Sequence, residues 1–415
     1  MQTPPANYRL YHLDAVRAFA LILGIVFHAS LSFTPIFIGW AVMDVSTSSF
    51  ISVFMLISHS FRMELFFLIA GFFSHMTFHK GGFSSFAQSR IVRIGIPFVI
   101  GWFILRPLLV SGWVMGAASL QGDVNILEGF KYGFQTLNTL PAGILVGTHL
   151  WFLYYLLVIT AATLAIRSFI ELIPTAYGYA TTLTDGVTRW LAHSKLALLL
   201  LSAPIACGLW FMSHWGMDTP DKSLLPHLPT FAIYGGFFAF GWTLHRQAEL
   251  LDSLCRFSWV RAFNCLGSIA TIIAFSEFER EYTHEFYTLF HVGFIYAYAY
   301  TMLSLVFLSI GLFKKFCHRP NSVVRYIADA SYWLYLVHLP IVVWLQVAFA
   351  ELPYHWSIKL TAISLITIGG SLFIYDLLIR PTFVGKILNG RRKPSYLLGR
   401  VPGKLTRINS SRIPS

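Results

Sequence analysis

Charge is scarce in this sequence. Asp, Glu, Lys and Arg make up 12% of its 415 residues, where a soluble domain carries about a quarter. That argues against a large water-facing surface. Acidic residues are the scarcer kind, 18 against 30 Lys and Arg, so the chain is basic mainly through a shortage of carboxylates. Cysteine offers no framework either. Cys207, Cys255, Cys265 and Cys317 include no Cys-x-x-Cys pair and no metal-ligand spacing, which excludes a disulfide scaffold and a zinc ribbon, and no metal is expected. No internal repeat is evident, which counts against the symmetric halves of many transporters. No polar run is long enough for a soluble domain; the longest lie at about 112–144, 167–195 and after 381.

Apolar residues are what the chain has in abundance: 56% hydrophobic and 17% aromatic, with a mean hydropathy of +0.64. They gather near 15–33, 50–74, 92–111, 145–166, 196–212, 228–245, 262–278, 287–313, 327–349 and 359–380. The pattern predicts an all-α integral membrane protein, a bundle of about ten transmembrane helices over residues 1–380. A basic, poorly ordered cytoplasmic tail is expected over 381–415. No A-x-A site follows the first run, so it is read as a retained span and not a cleaved leader. With the N-terminus in the cytoplasm, the outer side keeps only Arg106, Lys131, Lys222, Arg280 and Lys359 among the basic residues. The positive-inside rule then puts both termini in the cytoplasm. The net charge of +12 becomes a topology signal and an attraction to anionic membrane lipids, and nucleic acid is not an expected partner.

Within the first run, Arg17 and His28 are eleven residues apart. Eleven residues advance a helix by about 1,100°, three turns and roughly 20°, so both side chains share one face, about 16 Å apart along the axis. Ionisable groups are expensive in lipid, and such a pair is a functional hypothesis by default.

Other runs carry comparable groups. The second holds His59 and Arg62 on one face, with Glu64 about 200° away from Arg62. An internal ion-pair network would explain them, as would the wall of a polar chamber. Arg90 and Arg93 stand one turn apart at the start of the third run. They are either positive-inside anchors or a phosphate clamp, since each guanidinium offers a fork of donors. His149 and Trp151 open the fourth run; an interfacial aromatic belt is the default explanation for Trp151, and His149 is either a belt residue or part of a site. In the ninth, Tyr332, Tyr335 and His338 form a polar stripe, with Pro340 set to bend the helix. His291 stands alone and reads as a structural hydrogen-bonding group.

Leu13-Asp14…Arg17 with ten residues before His28, the Phe-Phe…Gly71-Phe-Phe run, Arg90-x-x-Arg93 and Tyr335-x-x-His338-x-Pro340 together resemble the membrane-bound acyltransferase 3 family. Leu-Gly24-Ile-Val-Phe-His28, His59-Ser-Phe-Arg62-Met and Thr148-His149-Leu-Trp-Phe-Leu resemble its branch implicated in succinylating periplasmic glucans. The resemblance implies a multi-pass protein of the bacterial inner membrane. It would take an acyl group from cytoplasmic acyl-CoA, succinyl-CoA first, and place it on a hydroxyl of a periplasmic glucan. Arg17, Arg90 and Arg93 would meet the coenzyme A phosphates, and His28 would serve as base or nucleophile, assisted by Arg62, Glu64 and His338. His59, His149, Trp151, Tyr332 and Tyr335 would line the substrate path. Acetyl transfer to another polysaccharide is the alternative within the class, and a transporter or flippase of a glycan or acylated lipid is the alternative outside it.

Overall fold

The computed structural model describes residues 11–119, 124–139, 148–220, 223–317 and 319–399. It is all-helical, with no β-strand among the described residues. The helices are α1 (Tyr11–Ser30), α2 (Ser49–His59), α3 (Arg62–Arg90), α4 (Ile96–Ser119), α5 (Ile126–Gln135), α6 (Trp151–Glu171) and α7 (Pro174–His193). There follow α8 (Ala197–Leu209), α9 (Leu228–Arg246), α10 (Trp259–Ser276), α11 (Tyr287–Phe316), α12 (Ser322–Phe349), α13 (Trp356–Ile374) and α14 (Phe383–Asn389). A helix satisfies its own backbone hydrogen bonds, which is the requirement a lipid environment imposes on apolar runs such as these. The tail residues 400–415 and the segments 120–123 and 140–147, on which part of the sequence reading rests, lie outside the described residues.

Among the described residues, seven helical stretches are long and apolar enough to cross a membrane: Tyr11–Phe33, Ser49–Ser119, Trp151–Glu171, Trp259–Arg280, Tyr287–Phe316, Ser322–Phe349 and Trp356–Ile379. The expected number was about ten. Ser49–Ser119 is one continuous run of 71 residues that takes in two expected spans. α8 has only 13 residues, about 20 Å of helix against some 30 Å of hydrocarbon. α9, with 19 residues, is diluted by Gly235, Gly236, Gly241 and a His245-Arg246 end. The glycines of this pair of helices have a packing use: a Cβ on Gly71 or Gly241 would come within 1.9 Å of a carbonyl oxygen on the facing helix. Small residues let α3 and α9 approach backbone to backbone, as membrane helices do when no hydrophobic effect drives them together.

α1 runs through the middle of the bundle, packed by α12, α11, α13, α3 and α2. Val16, Ala20, Ile25 and Ala29 on its packed faces are fully buried. The chain leaving α1 folds over as an ordered loop. Asp44 N–H donates to Ser32 O and Ser48 N–H to Phe33 O, each at 2.9 Å. Lys359 Nζ donates to the Asp44 carboxylate at 2.7 Å, with both side chains at most 1% exposed. Burial pushes the Asp44 carboxyl above its ordinary range, and the bond from Lys359 works against that shift. The pair fastens the loop to the start of α13.

Candidate functional site

A cavity of about 850 Å³ opens beside α1 and takes walls from α3, α4, α6, α12, the 31–48 loop and the segment after α13. It runs from an arginine end to a histidine end. Arg17, Arg90, Arg93, Tyr332 and Asn389 line the first; His28, His59, Arg62, His149, Trp151, Tyr335 and His338 line the second. Eleven of the twelve expected site residues therefore share one space. The register of α1 accounts for the two ends, because a shared face and about 16 Å of rise separate Arg17 from His28.

At the arginine end, Arg17 Nη2 donates to the Ala328 carbonyl at 3.0 Å, and Arg17 lies 4.0 Å from Asp14. The Arg90 guanidinium lies over the Phe86 ring at 4.7 Å. Arg90 ends α3 and Arg93 sits in the π-helical turn Ile91–Gly95 that leads to α4. Tyr332 O–H donates to the Arg93 carbonyl at 2.7 Å, joining α12 to this turn. A guanidinium set on one rim can receive anionic oxygens in bidentate fashion.

At the histidine end, the rings of His28 and His338 are 5.3 Å apart, and those of His149 and His338 5.9 Å apart. His338 Nδ1 contacts the carbonyls of Tyr335 at 2.7 Å and Leu334 at 3.1 Å. A carbonyl only accepts, so Nδ1 carries the hydrogen and, in the neutral ring, Nε2 keeps the lone pair. His149 is assigned the opposite way: Nε2 donates to Leu336 O at 2.9 Å, and Nδ1 is left as a buried acceptor with no partner among the described residues. His28 Nδ1 and Arg62 Nη1 are likewise buried without a partner. Arg62 reaches α1 where there is no side chain to block it, against Gly24, and its guanidinium covers the Phe27 ring at 4.3 Å. His59 hydrogen-bonds Thr219 at 2.9 Å, and Tyr335 O–H donates to the His149 carbonyl at 2.8 Å.

Glu64 is the expected residue that the fold does not bring to the site. It does not line the cavity; its side chain is fully buried near Tyr234 and Tyr298, and neither carboxyl oxygen has a hydrogen-bond partner among the described residues. The 200° that separate it from Arg62 on α3 turn it into the protein interior. A direct catalytic role for Glu64 does not follow from this placement.

Three residues of the deep end were missed in the sequence. Trp40, from the loop after α1, stacks on His28 at 5.9 Å and 19°, and Trp113 of α4 meets Trp40 edge-on at 5.1 Å. Gln346 of α12, 1% exposed, accepts from Trp40 Nε1 at 2.9 Å and donates to the carbonyls of His28 at 2.9 Å and Ala29 at 3.1 Å. α1 ends at Ser30, so these are final-turn carbonyls that no residue of α1 itself can satisfy. One amide thus caps the helix that carries His28 and holds the tryptophan over its ring. A lone glutamine in an apolar run was the available signal.

The acyltransferase 3 family, described as an acyltransferase domain, matches residues 10–376. Glucans biosynthesis protein C of Escherichia coli K12, of strain O1:K1 and of strain O139:H28 is each 35% identical over 162 residues, 39% of this chain and 39% of the relative. The chain thus spans well under half the length of the curated relatives it matches. No solved structure matches. With its family match running from the first turn of α1 to the end of the last long helix, taking in both ends of the cavity, this chain belongs to the acyltransferase 3 family.

Proposed function

We propose that the protein is a transmembrane O-acyltransferase, moving a succinyl group from cytoplasmic acyl-CoA to a hydroxyl of a periplasmic glucan. The observation that carries this reading is the continuity of the cavity, which joins a three-arginine rim to a cluster of three imidazoles. The distribution of basic residues supports a cytoplasmic arginine end, and the kinship with glucans biosynthesis protein C supports a glucan acceptor. In this reading the chain sits in the bacterial inner membrane with anionic lipid around its basic loops.

The donor enters with its phosphates on Arg17, Arg90 and Arg93 and its pantetheine arm along α1, and the thioester reaches His28. The glucan hydroxyl oxygen attacks the thioester carbonyl while His28 takes its proton. Negative charge gathers on the carbonyl oxygen, and the unpartnered Arg62 Nη1 donates to it. The C–S bond then breaks, the thiolate takes up the proton from His28, and coenzyme A leaves by the cytoplasmic mouth. Attack by His28 itself, through an acyl-imidazole that the sugar hydroxyl then opens, gives the same products. Trp40 and Trp113 offer a flat aromatic wall on which a pyranose ring stacks.

The test is mass spectrometry of periplasmic glucans from cells with and without the gene. Loss of a succinyl increment per substituent is expected. Loss of an acetyl increment would move the donor to acetyl-CoA, and an unchanged glucan profile would overturn the acceptor.

A further inference from the structure

The residues that follow the last long helix form a clasp on the arginine end. Asp376, 1% exposed, accepts from Arg380 Nη1 at 3.2 Å, from Ser395 Oγ at 2.7 Å and from the Leu397 backbone N–H at 3.0 Å. The Arg380 guanidinium lies 3.8 Å from the centre of the Tyr396 ring and 5.1 Å from that of Tyr326 on α12. Lys393 N–H donates to the Arg380 carbonyl at 3.1 Å. One buried carboxylate and its partners therefore pin residues 390–397 against α12 and α13.

What the clasp holds in place faces the cavity. Leu388 and Asn389 are part of the wall, and Asn389 Nδ2 donates to Tyr375 O–H at 2.8 Å. Gly390 has φ +78°, and a Cβ there would lie 2.5 Å from Arg93 Nη2, so the backbone packs directly on that guanidinium. Lys393 Nζ pairs with Asp329, itself a wall residue. Asp329 follows Ala328, whose carbonyl takes the hydrogen bond of Arg17. Lys393 and Arg17 thus stand on neighbouring residues of α12, with the exposed Arg391 and Arg392 beside Lys393.

We propose that this clasp is part of the donor site, and that Lys393 binds the phosphate farthest from the thioester, the 3′-phosphate on the ribose of coenzyme A. The proposal rests on the acyl-CoA reading and deepens it. An extended donor with its thioester at His28 puts its pyrophosphate at the arginine rim and its ribose phosphate beyond it, where the clasp lies. An ammonium has three N–H donors, so a bond to Asp329 aims Lys393 and leaves two for a phosphate monoester. An ordinary membrane anchor would extend its lysine toward lipid headgroups, whereas Lys393 is turned back onto a wall of the cavity.

The experiment measures binding of coenzyme A and of dephospho-coenzyme A, which lacks only that phosphate, to the full-length protein purified in detergent. The wild-type protein is expected to prefer coenzyme A. Lys393→Ala and Lys393→Gln should lower coenzyme A affinity roughly ten- to hundredfold, the loss of one charge-assisted contact, and leave dephospho-coenzyme A affinity unchanged. The dephospho ligand also reports folding, since a misfolded variant would lose both. Lys386→Ala, which removes an exposed charge from α14, should alter neither. Removing Arg90 and Arg93 together should weaken both ligands. Equal wild-type affinity for the two ligands, or a Lys393 variant with undiminished preference for coenzyme A, overturns the assignment of Lys393 while leaving the donor reading intact. If the double arginine variant binds both ligands as the wild type does, the donor reading itself falls.

Discussion

The two ends of the cavity are built from opposite materials. At the arginine end the cations are braced by neighbours: Arg17 by the Ala328 carbonyl, Arg93 by the backbone at Gly390, Lys393 by Asp329. Arg90 is braced by the Phe86 ring and keeps a buried Nε with no hydrogen-bond partner among the described residues. At the histidine end the imidazoles are fixed through one nitrogen or through the backbone, and His28 Nδ1, His149 Nδ1 and Arg62 Nη1 are left without partners among the described residues. A buried polar atom without a partner costs about 1–3 kcal/mol. Three such atoms around one space are affordable when a substrate satisfies them, and under the proposed function that difference would separate a docking rim from a reaction chamber.

The largest effect is expected at His28. His28→Ala should lower glucan acylation by about 10²–10⁴-fold while coenzyme A affinity, set at the other end, stays at the wild-type level. A parallel loss of affinity would mean that the two ends do not divide binding from chemistry. Next comes the strap over the deep end. Asp44→Asn leaves Lys359 buried without its counter-charge and should cost about 3–5 kcal/mol of stability, read as a lower unfolding temperature in detergent. Asp44→Asn combined with Lys359→Met should recover part of that loss; no recovery would show that the charge pair is not what fastens the loop.

Gln346→Leu sharpens the contrast at a smaller scale. It strands the Trp40 N–H and the last carbonyls of α1, at about 1–3 kcal/mol, and should reduce turnover without changing donor affinity. A positioning role predicts that split; a merely structural one predicts loss of folded protein with normal activity in what remains. The smallest effect is expected at Glu64, outside the cavity. Glu64→Gln should leave transfer within about twofold of wild type, and a hundredfold fall would return this residue to the mechanism.

Much of the site was legible from helix periodicity. The shared face of Arg17 and His28, the stripe Tyr332-Tyr335-His338 and the divergence of Glu64 from Arg62 all follow from 100° per residue. What periodicity cannot carry is a contact between distant segments. Trp40 and Gln346 are 306 positions apart and Gln346 and His28 are 318 apart; nothing local marks them as neighbours. Residues 381–399 read from composition as part of a basic, poorly ordered tail, yet they carry α14 and the clasp, because the hold of the clasp lies in what Asp376 and Asp329 accept and not in any apolar pattern. The difference between about ten expected spans and seven has another source: two expected spans fall in the one stretch Ser49–Ser119, α8 is too short, and the apolar run of α9 is diluted by glycines and a charged end.

Under the proposed function, donor and acceptor meet in one cavity from opposite sides of a membrane. The direct measurement uses sealed proteoliposomes with glucan enclosed in the lumen and labelled succinyl-CoA added outside, restricted to protein oriented with its arginine end outward. Labelled glucan should accumulate inside while free coenzyme A appears outside, and His28→Ala should abolish both. Labelled glucan forming only when donor and acceptor are placed on the same side would overturn transfer across the membrane.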